Sequence, residues 1–340
     1  MSIKTILVTG ASGFTGTQVV DQLLDAGYTV RGAARSKNVA KLAANYGSFG
    51  DKFQAVAIDD LVHSSLTEAV KGVDAIIHVA SPLPGSGEAE ACLKGAIDGT
   101  IRILEAAVAA GVKKVVITNS IVGLASYEEI ANNIVLGEGS WNSQKYEDAF
   151  APGADASTVY SVSKGLADKA TWEFAKVHPE IDIAAVYPPL ILGAGGRGQV
   201  FDSPATGSSA LVYALVAGPK GRPVMPMNQV ATFANVIDVA RAHVLALALP
   251  PSDKPKRIIP NAGEYTWVRA VKHLWEKRPE LRDRLPTVEG DTQEVPPHAT
   301  CDNSSARRAG LVEYIGFEET IEAAVDDVLR KERELGITSQ

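Results

Sequence analysis

The stretch VTGASGFTG, residues 8–16, decides the fold of this 340-residue chain. It follows a short apolar run and opens an amphipathic segment, so it occupies the turn between a strand and a helix. Gly10 lets the chain turn tightly out of the strand, Gly13 lets backbone N–H groups approach a pyrophosphate, and Gly16 allows close contact between helix and strand. The spacing is Gly-x-x-Gly-x-x-Gly rather than Gly-x-Gly-x-x-Gly. After this strand and before this helix, it predicts a dinucleotide-binding site.

Short apolar runs alternate with longer helical patterns through the first half of the chain, which is typical of βαβ units in a parallel sheet. The predicted strands are nearly all apolar, as strands covered on both faces should be, and span residues 3–9, 28–31, 53–58, 75–79, 115–118 and 183–186. Predicted helices lie at 13–26, 39–46, 66–70, 88–110 and 159–177, and glycines follow three of them at 27, 72 and 111. This pattern predicts an α/β fold, a Rossmann-type doubly wound parallel sheet, over residues 1–187.

Beyond residue 187 the periodicity becomes irregular, and Pro and Gly interrupt it. Residues 188–340 are therefore predicted to form mostly a smaller C-terminal substrate-binding region, with a segment at 228–250 returning to the Rossmann part. Helices are predicted at 210–217, 236–249, 267–275 and 317–335. Segments 250–256 and 287–300 are predicted to be exposed loops.

Composition excludes several classes of protein. With 46% hydrophobic and 21% charged residues and no apolar run of spanning length, the chain is not expected to enter a membrane. A net charge of −7 argues against nucleic acid as a partner. Two cysteines, Cys92 and Cys301, and six histidines lack metal-ligand spacing, so no metal is expected, and His78 and His243 are expected to be structural. The absence of a disulfide framework and of a signal-peptide pattern predicts a cytoplasmic protein. The sequence leaves open whether it is a monomer or a homodimer.

The choice of cofactor is indicated near the end of the second predicted strand. An acidic residue about 20 positions after the glycines would bond the ribose hydroxyls of NAD. Between Asp25 and Asp51 the sequence has no Asp or Glu, whereas it has four cations, at positions 31, 35, 37 and 41. A guanidinium can instead pair with a 2′-phosphate through two parallel bonds. This stretch favours NADPH or NADP, with Arg35 as the first candidate because it lies just beyond the strand, although a solvated basic helix start would look the same.

Three residues form a candidate catalytic set. Tyr160 and Lys164 are four apart on one face of a predicted helix, where a cation can lower the pKa of the phenol and make it a proton donor to a carbonyl. Many such pairs are only surface neighbours. Ser120 follows a predicted parallel strand, at the edge where an open α/β sheet presents its ligands, and its hydroxyl could hold the carbonyl. The alternative role for a serine at this position is to cap the following turn.

Taken together, these motifs resemble the extended short-chain dehydrogenase/reductase family, and within it the dihydroflavonol-reductase-like enzymes and fungal NADPH-dependent ketone and aldehyde reductases. The resemblance covers most of residues 3–244 and rests on the order and spacing of VTGASGFTG (8–16), VRGAARS (30–36), HVASP (78–82), VVITNS (115–120), EGSWN (138–142), YSVSK (160–164) and FANVIDVARAHV (233–244). The last hundred residues match only loosely.

The resemblance implies a role for individual positions. It implies a phosphate loop formed by Gly10, Gly13, Phe14 and Gly16. It places Arg35 at the 2′-phosphate, Asp59 at the adenine amine, and Ala80, Ser81 and Pro188 along the cofactor. Ser120, Tyr160 and Lys164 would be the catalytic set, with Lys164 also bonding the nicotinamide ribose.

Two features depart from the family pattern or leave it open. Tyr187 stands where the family usually has Asn before the proline, and the adjacent Asp60 could replace Asp59.

The function expected from these features is hydride transfer from NADPH to a ketone or aldehyde, with Tyr160 donating the proton. An NAD(P)-dependent nucleotide-sugar epimerase or dehydratase is the second candidate, and a non-catalytic NADP-sensing regulator is the third. The stretch 199–218 has no Lys or Arg and is predicted to form an apolar wall suited to an uncharged, apolar or aromatic carbonyl substrate, with residues Phe201, Leu211, Val212, Tyr213, Leu215, and then Met225 and Met227. Arg197, Lys220 and Arg222 flank this stretch and could bind phosphate if they turned inward.

Overall fold

Strands form where the sequence is short, apolar and rich in β-branched residues. The computed structural model describes residues 3–85, 87–252, 254–288, 290 and 292–337. In chain order, the strands are β1 (Thr5–Thr9), β2 (Thr29–Ala34), β3 (Phe53–Ala57), β4 (Ala75–His78), β5 (Lys114–Thr118), β6 (Val135–Leu136), β7 (Asp182–Val186), β8 (Leu190–Leu192), β9 (Thr232–Asn235), β10 (Lys256–Ile258), β11 (Gly263–Glu264) and β12 (Thr300–Cys301).

Helices follow most of these strands. They are α1 (Phe14–Asp25), α2 (Ser36–Asn45), α3 (Thr67–Val70), α4 (Ala89–Ala109), α5 (Tyr127–Ile130), α6 (Ala156–Val177), α7 (Ser209–Val216), α8 (Val236–Ala248), α9 (Trp267–Lys277), α10 (Ser304–Arg308) and α11 (Phe317–Glu334). Gly27, Gly72 and Gly111 lie after α1, α3 and α4 with positive φ angles of 88°, 69° and 73°. The left-handed backbone that ends these helices is one that glycine adopts without strain, as the sequence predicted.

The main sheet is parallel and has the order β10-β7-β5-β4-β1-β2-β3. Successive side chains of β1 enter different cores, because Leu7 belongs to the cluster on one face of the sheet whereas Ile6 and Val8 belong to the cluster on the other. Helices cover both faces, so the predicted Rossmann-type doubly wound sheet is confirmed.

The structure corrects several sequence-based boundaries. Helix α2 begins three residues before the predicted 39, and β1 begins two residues after the predicted 3. Both predicted loops, 250–256 and 287–300, end in a strand. Lys256 is the first residue of β10, at the edge of the main sheet, and Thr300 is the first residue of β12. Strand β10 contains Lys and Arg in three residues, which is why its sequence does not look like a buried strand.

The second half of the chain builds a smaller sheet of order β11-β9-β8 and a separate core around α7, α9 and α11. Helix α8 packs against α1 and the main sheet, and β10 pairs with β7. The domain boundary at residue 187 stays a prediction. None of the described helices combines the length and apolarity needed to cross a membrane.

Candidate active site

The glycine-rich turn lies between β1 and α1. Gly10 has a φ of 67°, and a Cβ atom there would come within 3.0 Å of the Ala80 backbone nitrogen. A Cβ on Gly16 would lie only 2.1 Å from the Gly10 carbonyl oxygen. Gly13 precedes α1, and in the described chain no side chain caps that end of the helix or places a negative charge in its first turn. The first backbone N–H groups of α1, at Phe14 and beyond, therefore lie where the glycine spacing predicts that an anion binds.

The residues predicted for the far end of the cofactor come together at the carboxyl ends of β2 and β3. Arg35 is exposed immediately before α2. The Ser36 backbone N–H and hydroxyl donate to the Asp59 carboxylate over 2.7 and 2.5 Å. These hydrogen bonds, and then the charge of Arg35, lower the pKa of Asp59. Asp60 instead accepts the backbone N–H of Val62 at 2.7 Å, so of the two acids it is Asp59 that lies beside Arg35.

The candidate catalytic residues converge from different segments. Ser120 follows β5, and its side chain lies close enough to the Tyr160 phenol to oppose the rise in the pKa of that phenol. The Lys164 Nζ lies 5.7 Å from the centroid of the Tyr160 ring and donates to the Ser81 hydroxyl over 2.9 Å. Ser120 also accepts a long bond of 3.4 Å from the Val122 N–H, so it caps the following turn as well as contacting the phenol. The structure thus brings Ser81, Ser120, Tyr160 and Lys164 together, and their catalytic and cofactor roles stay predictions.

Burial sets the protonation of this group. It raises the pKa of the Tyr160 phenol above its usual value, with Tyr127 adding to the shift and the nearby Ser120 side chain opposing it. Burial also lowers the pKa of the Lys164 ammonium to about 8. The prediction that Lys164 lowers the pKa of Tyr160 below its usual value is therefore wrong for this structure, because desolvation dominates. Tyr160 keeps its proton at neutral pH and can donate it.

Tyr187 and Pro188 follow β7 beside this group. The Ile121 N–H donates to the Pro188 carbonyl over 3.1 Å, which joins the end of β7 to the turn after Ser120. The Tyr187 hydroxyl donates to Asp168 over 2.5 Å. Sequence reasoning did not find Asp168, although its position one turn beyond Lys164 on α6 is a signal that could have found it.

Two residues of the predicted apolar substrate wall belong to the core, because Val212 and Leu215 are fully buried. For them the wall prediction is wrong, since an apolar helix face is required equally by a core and by a pocket. Half-buried side chains that pack against this core include Leu211, Tyr213, Met225 and Met227. Phe201 is also half-buried and lies about 5 Å from the cations of Lys41 and Arg330. For these five residues the wall stays a prediction.

The flanking cations are engaged elsewhere. Arg197 bonds Asp25 with both carboxylate oxygens 2.7 Å from its Nη2 atom. Lys220 pairs with Asp283, and Arg222 donates to backbone carbonyls at the end of α7.

A different apolar residue lies near the candidate catalytic group. Leu83 follows Ser81 by two positions and keeps 49% of its side chain exposed. A Cβ on Gly207 would lie 3.9 Å from its Cδ1 atom, so segments 82–85 and 203–208 approach each other there. The Ser208 hydroxyl anchors the second segment by donating to the Ile191 carbonyl over 2.5 Å.

The buried histidines are structural, as predicted. The Nδ1 atom of His78 is 2.8 Å from the Thr9 hydroxyl, and His243 contacts the Thr118 hydroxyl and the Val239 carbonyl, each over 2.7 Å. Burial lowers the pKa of His78 to about 3 and of His243 to about 4, so neither carries a charge at neutral pH.

A doubly wound parallel sheet, a glycine-rich turn after its first strand and a Ser–Tyr–Lys group at its carboxyl edge are the features of an extended short-chain dehydrogenase/reductase. The chain belongs to the NAD dependent epimerase/dehydratase family, whose model matches residues 6–263.

Named relatives extend this assignment. Aldehyde reductase 2 of Sporidiobolus salmonicolor is 31% identical over 77% of this chain and 78% of its own length. Ketoreductase adrE of Penicillium roqueforti is 28% identical over 94% of this chain and 95% of its own. Among solved structures, Gre2 of Candida albicans in complex with NADPH matches with a TM-score of 0.86 and 25% identity, covering 96% of this chain and 99% of that one. The family resemblance seen in the sequence is confirmed.

Proposed function

We propose that this protein is an NADPH-dependent carbonyl reductase that converts a ketone or aldehyde into an alcohol. The observation that carries the proposal is the convergence of Ser120 and Lys164 on Tyr160, beside the segment of Ala80 and Ser81 that contacts the glycine-rich turn. Relatives named aldehyde reductase and ketoreductase support the same reaction class.

The residues present fit an NADPH molecule. The uncapped N-terminus of α1 fits the pyrophosphate, and the closeness of Gly10 to Ala80 leaves no room for a side chain between turn and strand. Arg35 would hold the 2′-phosphate, and its exposed guanidinium is free to approach it from solvent. Asp59 would lie next to it at the adenine. When bound, NADPH supplies a hydride to the substrate carbonyl carbon.

The residues of this chain would then stabilise the negative charge that develops on the substrate carbonyl oxygen. Ser120 and Tyr160 would both hydrogen-bond that oxygen, which orients the substrate. Tyr160, kept protonated by burial, would transfer its phenolic proton to the oxygen as negative charge develops. Lys164 would stabilise the phenolate left behind, since its ammonium is already held near the ring.

The substrate we infer is small, uncharged and apolar or aromatic. Leu83 offers an exposed apolar surface two residues after Ser81. The cations that a nucleotide-sugar pyrophosphate would need near residues 199–218 bond to Asp25, Asp283 and backbone carbonyls. These contacts favour a reductase over a nucleotide-sugar epimerase.

The test is NADPH oxidation with a panel of aldehydes and ketones, using wild type and Tyr160→Phe. The variant should lose about 10²–10⁴-fold in kcat, the usual contribution of a general acid, while NADPH affinity stays within a few fold. Tyr265→Phe is the matched control, because it also removes a hydroxyl from a buried tyrosine, one that donates to the Val230 carbonyl in the C-terminal core. Wild-type rates in Tyr160→Phe would refute the mechanism. Micromolar binding of UDP-glucose without turnover of any carbonyl would favour the epimerase.

A further inference from the structure

The Asp168 carboxylate is the centre of a buried polar network beneath the candidate catalytic group. Only 1% of this residue is exposed. One of its oxygens accepts the Tyr187 hydroxyl over 2.5 Å and the Trp172 indole N–H over 3.0 Å. The other accepts the guanidinium of Arg257, which is fully buried. Donors from α6, β10 and the end of β7 therefore meet at a single carboxylate.

Arg257 extends the network to a further segment. Its second terminal nitrogen donates to the backbone carbonyls of Glu138 and Ser140. The Trp141 ring covers the guanidinium, with its centroid 3.7 Å from the Cζ atom. This explains both the burial of a cation in an edge strand and the position of Trp141.

The network also reaches the segment around Ser120. Tyr187, which donates to Asp168, lies between Val186 and Pro188. The carbonyls of these two neighbours accept the backbone N–H groups of Asn119 over 2.8 Å and of Ile121 over 3.1 Å. Asp168 is therefore connected through Tyr187 to both chain neighbours of Ser120. On α6, Asp168 is also one turn beyond Lys164 and two turns beyond Tyr160, so it shares their helix face.

We propose that Asp168 is a positioning residue that sets the contact between Ser120 and Tyr160 by fastening the end of β5 to helix α6. The proposal rests on the reductase function proposed above. It assigns Trp172, Tyr187 and Arg257 to the same task, as the donors that hold the carboxylate in one place.

Energetics favour this role over a purely stabilising one. Removing an aspartate and an arginine from water costs several kcal/mol for each ion, so a buried pair is a poor way to gain stability alone. A hydrogen-bonded network does hold its members in one arrangement, and here both oxygens of Asp168 and both terminal nitrogens of Arg257 are bonded. Hydrogen-bond donors to a reacting oxygen need such an arrangement, since a displacement of about 1 Å can cost on the order of 10²-fold in rate.

A double-mutant cycle between Asp168→Asn and Ser120→Ala tests the proposal. Asp168→Asn should lower kcat by about tenfold or more, with the KM for NADPH changed much less, because the cofactor loop is untouched. In the Ser120→Ala background the same change should cost less than about twofold, because there is no longer a hydroxyl to place. Loss of folded protein would instead lower kcat by equal factors in both backgrounds.

The control is Asp182→Asn. Asp182 lies at the opposite end of β7, where its carboxylate accepts Lys114 Nζ over 2.6 Å and also pairs with Lys256. This variant breaks a carboxylate–cation cluster on the same three strands away from the site, so it should lower thermal stability without changing kcat. If Asp168→Asn does not fold, Tyr187→Phe replaces it in the cycle, because it removes a single donor and keeps the ring.

The positioning role would be overturned if Asp168→Asn lowered kcat by the same factor in the wild-type and Ser120→Ala backgrounds. A kcat for Asp168→Asn within about twofold of wild type would also overturn it. Failure of the proposed function would look different. In that case wild type itself would not oxidise NADPH with any carbonyl, or Tyr160→Phe would be fully active.

Discussion

The substitution Gly16→Ala tests whether the first turn of α1 must touch the glycine-rich loop. An added Cβ would lie 2.1 Å from the Gly10 carbonyl oxygen and 2.8 Å from its carbonyl carbon, and both are backbone atoms that no rotamer change can move. To reach van der Waals contact, helix and loop must separate by about 1 Å. Overpacking of this kind costs about 1–3 kcal/mol of stability, and a 1 Å displacement at a binding loop can reduce function by on the order of 10²-fold.

The assay combines urea denaturation with NADPH titration by fluorescence. Gly16→Ala should lower the free energy of unfolding by about 1–3 kcal/mol and raise the Kd for NADPH by roughly tenfold or more. Gly47→Ala is the matched control, because its Cβ would meet no atom within 4 Å and its φ is not positive. A Gly16→Ala protein with wild-type stability and wild-type Kd would refute the close-contact argument.

Three further predictions concern the cofactor, the pH response and the substrate. Arg35→Glu should weaken NADPH binding by about 1.5–3 kcal/mol and reduce the preference for NADPH over NADH in kcat/KM; an unchanged ratio would show that another residue holds the 2′-phosphate. The pKa values of His78 and His243 in the folded protein, about 3 and about 4, lie below the value of 6.5 for an unfolded histidine. As the pH falls from 7 to 5, the unfolded state therefore binds protons that the folded state does not. The free energy of unfolding should drop over this range by on the order of 2 kcal/mol for each histidine. Urea denaturation at both pH values should give a smaller drop for His243→Gln, and an equal drop would contradict this assignment. Leu83→Ala should lower kcat/KM for an aromatic ketone by about threefold to tenfold relative to a short aliphatic aldehyde, whereas Val312→Ala, which trims another exposed residue, should leave that ratio unchanged.

Much of the candidate site could be predicted from the sequence because its signals are local. The glycines at 10, 13 and 16 act within a single turn, and Tyr160 and Lys164 are neighbours on one helix. Their meeting with Ser120 also follows from the sequence, since the carboxyl ends of parallel strands share an edge of the sheet. The pKa of Tyr160 did not follow, because it depends on how much water the fold removes from the phenol.

The errors arose where one pattern has two uses. Val212 and Leu215 are apolar on a helix, which suits a pocket wall and a core equally, and only their packing against α11 decides between the two. Apolar character is a property of the residue, whereas the surface it covers is a property of the fold.

The sequence by itself determined the alternation of strands and helices, the glycines that end the helices and the pairing of Tyr160 with Lys164 on one helix face, because each depends on residues a few positions apart. Tertiary structure alone decided that Arg257, in a strand of Lys, Arg and Ile, would be fully buried. Its partner Asp168 is 89 positions away and the Trp141 ring that covers it is 116 away. A charged side chain can leave water only when an opposite charge and hydrogen-bond acceptors surround it, and no local pattern records which distant residues will supply them.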